Sequence, residues 1–239
     1  MTTPGWLESR KLQPEVMDDP GLDSREHLQA LRALRRINFL SASASIVWPP
    51  LRKLAREQPG RRLRILDIAT GSGDLPRALV GKAQRAGLDL EVLGVDVSPR
   101  AIEAARLRTP VGSPDLRFEQ LDALREPLPE GYDVVMCSLF LHHLTDDEAR
   151  QLIQKMASVA RRMVVISDLR RSRYGWWLAY GASRLLTRSK VVHVDALLSV
   201  QAAFTMSELQ NLAAGSGLSD VQVVPRWPCR MLLTGRTEK

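Results

Sequence analysis

Short apolar runs alternate with amphipathic stretches through the middle of the chain. The runs are brief and mostly aliphatic, as in strands that are buried on both faces of a sheet. The stretches between them repeat apolar residues three and four positions apart, as in helices that cover a sheet on one side. Five runs lie between residues 61 and 169: ILDI, LEVLGVDV, FEQLDA, DVVMCS and MVVISD. This alternation predicts an α/β domain built on a doubly wound parallel sheet.

Residues 1–60 carry helical rather than strand periodicity. Apolar residues recur at helical spacing between Ser24 and Leu40, and a second amphipathic stretch runs from Ile46 to Glu57. The first stripe consists of Leu28, Leu31, Leu34 and Ile37. We expect a helical cap over 1–60, packed on the sheet rim above the ligand, and a second unit over 61–239.

The last part of the chain adds an insertion and a closing strand pair. Residues 170–204 interrupt the alternation and are expected to form a lid. A helix capped by Thr205 or Ser207 follows and stops at a pair of glycines. The stretches DVQVVP and CRMLLTGR then predict two closing strands.

The first apolar run ends in an acid and enters a glycine turn, ILDIATGSGD, at Ile65–Asp74. Gly71 and Gly73 have no Cβ and tolerate positive φ, so the backbone can approach a nucleotide-like ligand closely. The nicotinamide fingerprint requires a Gly or Ala where Pro76 stands. A phosphate-binding P-loop is also excluded, because no Gly-Lys-Ser/Thr follows the glycines.

Acids also close the second and third runs. Asp96 lies at the end of the second run, where a carboxylate can accept both hydroxyls of a ribose. Asp122 closes the third run and is a candidate acceptor for the exocyclic amine of adenine. Capping of a turn or a helix is the alternative role for both acids. For Asp96 it is the weaker one, because Ser98 stands directly before Pro99 and is the better cap.

This series of motifs resembles motifs I, post-I, II and III of the class I S-adenosylmethionine-dependent methyltransferases, over roughly residues 61–169, with wording most similar to the ubiquinone and menaquinone branch. The resemblance implies a Rossmann-like, seven-stranded sheet of order 3-2-1-4-5-7-6 with the last strand antiparallel. It implies S-adenosylmethionine as cofactor and S-adenosylhomocysteine as product. Ala69 replaces the commoner first glycine, which costs little if Ala69 keeps an ordinary φ. The implied cofactor residues are Asp67, Ala69, Thr70, Gly71, Gly73, Asp96, Val97, Asp122, Ala123, Cys137 and Ser138.

Three histidines are candidate bases for taking a proton from the methyl acceptor. His142 and His143 follow the fourth strand, on the loop that in this fold faces the methyl group. Adjacent side chains cannot point the same way, so one should face the pocket and the other should pack; we expect His143 to be the base. His193 and Asp195 are two apart in a stretch with β-like spacing, which would put both on one face.

The lid holds most of the candidate acceptor contacts, which are Asp168, Arg170, Tyr174, Trp177, Tyr180 and Asp195. Its aromatic cluster favours a small phenolic, polyketide-like or isoprenoid-like acceptor, with O-methylation preferred. C-methylation of a quinone-type ring is the alternative, and peripheral contact with a membrane through the basic flanks is a further one. An RNA methyltransferase is disfavoured, because the fourth motif reads CSLF rather than an Asn/Asp-Pro-Pro-aromatic turn.

Composition narrows the partners further. The net charge is +7, from 34 basic and 27 acidic residues, but the arginines are scattered, so we expect no nucleic-acid partner. The two cysteines, Cys137 and Cys229, have no metal-ligand spacing, and no metal is expected. No run of about 18 apolar residues or signal peptide is visible, which predicts a cytoplasmic protein without integral membrane association.

Overall fold

The fold is described from a computed structural model of the 239-residue chain, for residues 7–16, 23, 43–110 and 112–237. The cap helix predicted over Ser24–Leu40 lies outside these residues.

The sheet has the predicted seven strands in the order β3-β2-β1-β4-β5-β7-β6. Strands β1 to β5 are mutually parallel where they pair, and β7 is antiparallel to both β5 and β6. The strands are β1 Leu63–Ile68, β2 Leu90–Asp96, β3 Leu116–Gln120, β4 Val134–Ser138, β5 Met163–Leu169, β6 Leu218–Arg226 and β7 Arg230–Thr237. The fold class predicted from the alternation is confirmed.

Seven α-helices surround this sheet in the described part of the chain. They are α1 Ser43–Arg56, α2 Asp74–Arg85, α3 Pro99–Leu107, α4 Asp146–Val159, α5 Arg173–Leu186, α6 Lys190–Ala202 and α7 Met206–Ala213. A short 3₁₀ helix, Leu141–His143, follows β4.

Alternate strand residues face two separate apolar layers. On one face Leu66 and Ile68 pack with α4 and α7, and on the other Ile65 packs with α1 and α2. Helix α1 is therefore a layer helix on a face of the sheet, whereas the sequence suggested that it caps the rim. The strands read as continuous apolar runs because both faces are buried.

Side-chain caps fix where five of the described helices begin, with Ser172 at Arg173–Leu186 and Ser189 at Lys190–Ala202. Ser98 caps α3, as expected, by accepting a hydrogen bond from the backbone N–H of Ala101. Thr145 and Thr205 each form a capping box, with Glu148 and Glu208 respectively. Of the two caps predicted for α7, Thr205 is the observed one.

The lid consists of α5 and α6, which pack against each other, and α6 also contacts the 3₁₀ helix. The β-like spacing expected for His193 and Asp195 is wrong, because both lie within α6. Residues two apart on a helix point to nearly opposite sides, so the pair does not share a face. Asp195 is buried and accepts from the backbone N–H of Val16, whereas a ring nitrogen of His193 lies 2.9 Å from the Thr187 carbonyl oxygen.

Candidate active site

The strand order reverses between β1 and β4. Strand β1 is followed in the chain by β2 on one side, and β4 by β5 on the other. Connections that leave in opposite directions open a crevice at the carboxyl ends of these two strands, where open α/β sheets bind ligands. Two non-glycine residues with left-handed φ follow the two strands, Ala69 at 54° and Leu139 at 57°. Such conformations cluster at functional sites.

The glycine turn after β1 is left-handed at three alternate positions. Gly71 has a φ of 56° and Gly73 one of 72°. A Cβ at Gly73 would lie 2.5 Å from Phe118, whereas a Cβ at Gly71 would meet no atom within 4 Å. Ala69 does not keep the ordinary φ under which it would cost little, so this alanine carries strain that glycine would not.

Asp67, at the end of β1, supports the turn from below. It is only 1% exposed, and its Oδ2 accepts a hydrogen bond of 2.7 Å from the Thr70 hydroxyl. Burial raises the pKa of Asp67 to about 7, against the opposing hydrogen bond from Thr70, and the charge of Asp96 raises it further. Asp67 therefore supports the loop from inside the protein, and the direct ligand contact that the resemblance implies stays a prediction.

Asp96 ties the end of β2 to the same turn. Its Oδ2 accepts from the backbone N–H of Gly71 at 2.8 Å, and its Oδ1 accepts from that of Ser98 at 2.9 Å. Each carboxylate oxygen keeps a further lone pair. Asp96 is half-buried, so its position suits a ligand that also touches the glycine turn.

Asp122 performs the capping role that we weighed against adenine binding. Its Oδ1 accepts from the backbone N–H groups of Leu124 and Arg125 at 3.0 and 3.2 Å. Strand β3 ends two residues earlier, at Gln120, so Asp122 lies in the turn rather than closing the strand. This turn still lies at the carboxyl edge of the sheet.

The remaining predicted cofactor residues lie at this edge in differing environments. Val97 is exposed, whereas Ala123 and Cys137 are buried, so these two can offer a ligand little more than backbone. Burial raises the pKa of Cys137 well above its ordinary value, as do Asp168 and Asp67. The Ser138 hydroxyl accepts from Arg230 at 3.2 Å.

These groups fit an adenosyl sulfonium ligand. Asp96 offers carboxylate oxygens for ribose hydroxyls, and the turn at Gly71 leaves space that a side chain would fill. No Lys or Arg occurs between Asp67 and Pro76, but Arg77 and Arg108 both pair with Asp74 at the end of the turn, at 2.9 and 2.8 Å.

A buried His–Asp pair stands on the other side of the crevice. Nδ1 of His142 lies 2.6 Å from Oδ1 of Asp168, and the backbone N–H of His142 donates to Oδ2 of the same carboxylate. Both residues are at most 5% exposed. Burial opposes the charge on Asp168, but His142 and Arg230 lower its pKa below the ordinary value overall. Asp168 therefore orients His142, and the direct contact with the acceptor that the sequence suggested stays a prediction.

His143 differs from its neighbour. The residue is exposed, yet burial on its inner side and then the charge of His142 lower its pKa to about 4, against the opposing Asp168. Its imidazole is neutral at pH 7 and a weak base. Among the described residues, ligand atoms of Glu15, His142 and His143 lie within 4.8 Å of one another, so a carboxylate from the N-terminal segment joins the histidine pair.

Arg230 is a member of this site that the sequence did not reveal. It is 1% exposed at the start of β7, and one guanidinium nitrogen donates to the Ser167 hydroxyl at 2.9 Å. Burial lowers its pKa to about 10, with Asp168 opposing, so the charge persists at neutral pH. An arginine in a closing strand gives no periodic signal that distinguishes it from a solvated one.

The predicted acceptor residues of the lid do not converge. Tyr174, Trp177 and Tyr180 are exposed on α5, which does not favour the pocket that they were expected to line. Arg170 is joined through its backbone N–H to the Cys229 carbonyl. His193 and Asp195 are engaged with Thr187 and Val16, as described above, and neither reaches the His142–Asp168 pair by a described hydrogen bond.

Comparison with known proteins agrees with this architecture. Residues 65–162 match a family described as "Methyltransferase domain". Demethylmenaquinone methyltransferase of Deinococcus radiodurans is 34% identical over 84 residues, 35% of this chain and 33% of that protein. Ubiquinone biosynthesis O-methyltransferase of Paracidovorax citrulli is 30% identical over 86 residues, 35% of this chain and 34% of that protein. The matches thus span about a third of these relatives.

Among solved structures, the S-adenosylmethionine-dependent methyltransferase SibL superposes with a TM-score of 0.68 at 18% identity, covering 92% of this chain and 60% of SibL. At this identity the likeness concerns the fold. The matched domain, the strand order and the glycine turn bonded to Asp96 agree with one another. This chain is therefore similar to the S-adenosylmethionine-dependent methyltransferases, in a matched methyltransferase domain over residues 65–162 and in its fold.

Proposed function

We propose that the protein transfers a methyl group from S-adenosylmethionine to a small hydroxylated acceptor of the phenolic, polyketide or isoprenoid-quinone kind. The observation that carries this proposal is the bond between the Gly71 N–H and the Asp96 carboxylate. This bond holds Gly71, which has no side chain, beside the carboxylate that would accept hydrogen bonds from the ribose hydroxyls.

The residues around the glycine turn would bind S-adenosylmethionine and would take no part in the transfer of the methyl group. Asp96 would accept the ribose hydroxyls, and Asp122 with the backbone around Ala123 would border the adenine. S-adenosylmethionine supplies an already activated methyl carbon, so alignment of donor and acceptor is the main catalytic requirement.

His142 is the residue that we assign to the acceptor's proton. A phenol has a reference pKa of about 10 and is mostly protonated at neutral pH. The contact from Nδ1 to Asp168 orients the ring and leaves Nε2 as the acceptor of that proton, because a neutral imidazole carries only one N–H. His143, whose pKa is about 4, is the weaker candidate.

Isothermal titration with S-adenosylhomocysteine tests the cofactor half. Asp96→Ala removes a charged hydrogen-bond acceptor worth about 2 kcal/mol, so we expect binding roughly 30-fold weaker, with unchanged circular dichroism. Asp89→Ala is the matched control, since this carboxylate precedes β2 at the opposite end of the strand. Equal affinities of the Asp96 variant and the wild type would reject the proposed grip.

The acceptor class is tested separately. A melting-shift screen of phenols, polyketides and quinols is run with S-adenosylhomocysteine present, and hits are incubated with methyl-labelled S-adenosylmethionine. The position of the label on oxygen or on a ring carbon separates O-methylation, which we prefer, from C-methylation. Transfer to none of these classes, with transfer to RNA instead, would overturn the assignment.

A further inference from the structure

The outer face of α5 carries a stripe of two aromatic residues between two arginines. Arg173, Trp177, Tyr180 and Arg184 follow one another at intervals of four, three and four residues, which places them in one line along a helix. All four are exposed, Trp177 by 60%. The two rings meet edge to face with centroids 5.8 Å apart, and the Arg184 guanidinium lies 3.6 Å from the centre of the Tyr180 ring.

Further exposed apolar residues adjoin this stripe. Tyr174 and Leu185 on α5 are 56% and 88% exposed. The turn between β6 and β7 adjoins the start of the helix, since a Cβ at Gly175 would lie 3.3 Å from that of Cys229. Trp227 in that turn is 74% exposed. We call this set, with the four residues of the stripe, the α5 surface.

The charge around the α5 surface has one sign. Residues 170–194 contain six basic residues and no acidic one. Arg171 is directed inward, where it pairs with Glu208, so its charge is compensated inside the protein. Of the other five, Arg173, Arg184, Arg188 and Lys190 are exposed, and Arg170 is half-buried.

We propose that the α5 surface docks the protein on an anionic lipid bilayer, with α5 lying in the plane of the interface. A helix with aromatic and leucine side chains on its exposed face, flanked by cations, is the pattern that binds at the headgroup boundary. Tryptophan and tyrosine favour this depth because one end of the ring system is polar, and arginine attracts anionic headgroups.

The one-signed charge also argues against a second copy of the chain on this face. A two-fold dimer would bring each patch against itself, so that arginines would face arginines without a carboxylate from 170–194 between them. A lipid surface supplies the opposite charge. Helix α5 packs on α6, which contacts the 3₁₀ helix of His142, so the docked surface would lie two packed elements from the histidine pair.

Flotation with vesicles tests the proposal without cofactor or acceptor, and therefore independently of the proposed function. The full chain should float with phosphatidylcholine vesicles that contain phosphatidylglycerol, and much less with phosphatidylcholine alone. Raising the salt should release it, since exposed charges are screened. Trp177→Ser combined with Tyr180→Ser, and separately Arg173→Glu combined with Arg184→Glu, should each lower the bound fraction about tenfold.

Matched controls separate the surface from general effects. Leu107→Ser removes an apolar side chain at the end of α3 that is 80% exposed, more than the 60% of Trp177. Arg52→Glu combined with Arg100→Glu makes the same change in net charge on α1 and α3. Both controls should bind vesicles as the wild type does.

Four results would overturn the proposal. The wild type does not float with the anionic vesicles, or the controls lose binding as much as the α5 variants. The Trp177/Tyr180 variant melts well below the Leu107 variant, which would mean that protein covers this face. Light scattering shows a dimer that the Trp177/Tyr180 variant separates into monomers, which would make the face a self-association surface.

Discussion

The two sides of the crevice are built in different ways. On the cofactor side, backbone groups and neighbouring loops form the site: the Gly71 N–H, the Asp96 carboxylate and the Ser98 cap lie within 28 residues of one another. On the acceptor side, side chains from distant parts of the chain meet. His142 bonds to Asp168, and Arg230 comes from a strand 62 positions beyond Asp168.

The difference shows where each half can change. The donor side depends on conformations that few residues can adopt, so its motifs are short and local. The acceptor side depends on pairs of side chains held by the sheet, and substitution of one partner leaves a buried charge behind.

The largest expected effect is a loss of turnover, without a loss of cofactor affinity, when the proposed base on the acceptor side is replaced. His142→Asn should lower kcat by about 10²–10⁴-fold, the usual contribution of a general base, with cofactor affinity nearly unchanged. His143→Gln is the matched control and should have a much smaller effect, because the pKa of His143 is already about 4. Steady-state kinetics on the acceptor found by the screen give both values. Equal losses in the two variants would remove the distinction between the histidines.

Two glycines sharpen the comparison within the donor side. Gly73→Ala adds a methyl group against Phe118 and a left-handed φ, and should destabilise the fold by about 3 kcal/mol in urea. Gly71→Ala meets no protein atom and should cost only about 1 kcal/mol. Cofactor affinity should reverse this order, with Gly71→Ala the more damaging in titration calorimetry. If Gly71→Ala binds as the wild type does, the ligand does not approach this position.

The pH dependence of stability tests the buried support of the turn. Folding raises the pKa of Asp67 from about 4 to about 7, so between these values the folded protein keeps a proton that the unfolded chain releases. The contribution of Asp67 to the free energy of unfolding is therefore complete below pH 4 and is lost as the pH rises through 7. Asp67→Asn should be more stable than the wild type by about 4 kcal/mol at pH 8 and similar at pH 4.

Urea unfolding of the wild type and this variant across the pH range gives the difference directly. Asp89→Asn, at a carboxylate that is about half exposed, should show no such trend. A constant difference between the Asp67 variant and the wild type at all pH values would contradict the raised pKa.

The smallest expected effect concerns the strained alanine. Ala69→Gly should stabilise the fold by about 0.5–1 kcal/mol, because relief of the left-handed φ exceeds the added entropy of an unfolded glycine. Thermal melting with and without S-adenosylhomocysteine measures the gain. A loss of stability would mean that the alanine methyl makes packing contacts worth more than the strain.

The sequence predicted the sheet and the glycine turn after β1 well because both depend on local patterns. Period, glycine spacing and strand-end acids are properties of neighbouring residues, and the capping roles of Ser98 and Thr205 follow from the same short range. The positive φ at Ala69 was missed, since backbone conformation at a non-glycine residue is set by the surrounding loop. Which residues bind cofactor and acceptor remains a prediction for the experiments above.

The acceptor side was less predictable because its contacts are long-range. The stretch around His193 has strand-like residues but lies in α6, since packing on α5 and the Ser189 cap override a weak β preference. The aromatic cluster of the lid was expected to face inward and instead faces outward, because periodicity defines a face without saying what covers it. Arg230 and Glu15 reach the site only through the folded topology.

Arg10 connects the N-terminal segment 7–16 with the end of α6 and with the start of α4. Its guanidinium donates to the carbonyl oxygens of Ala202 and Leu144 and pairs with Asp146, and it lies 3.8 Å from the centre of the Phe204 ring. If residues 170–204 were replaced by those of a relative and residues 7–16 were not, the contacts of Arg10 with the new segment would be lost. Recombination that aims to alter acceptor choice should therefore move both pieces as one cassette.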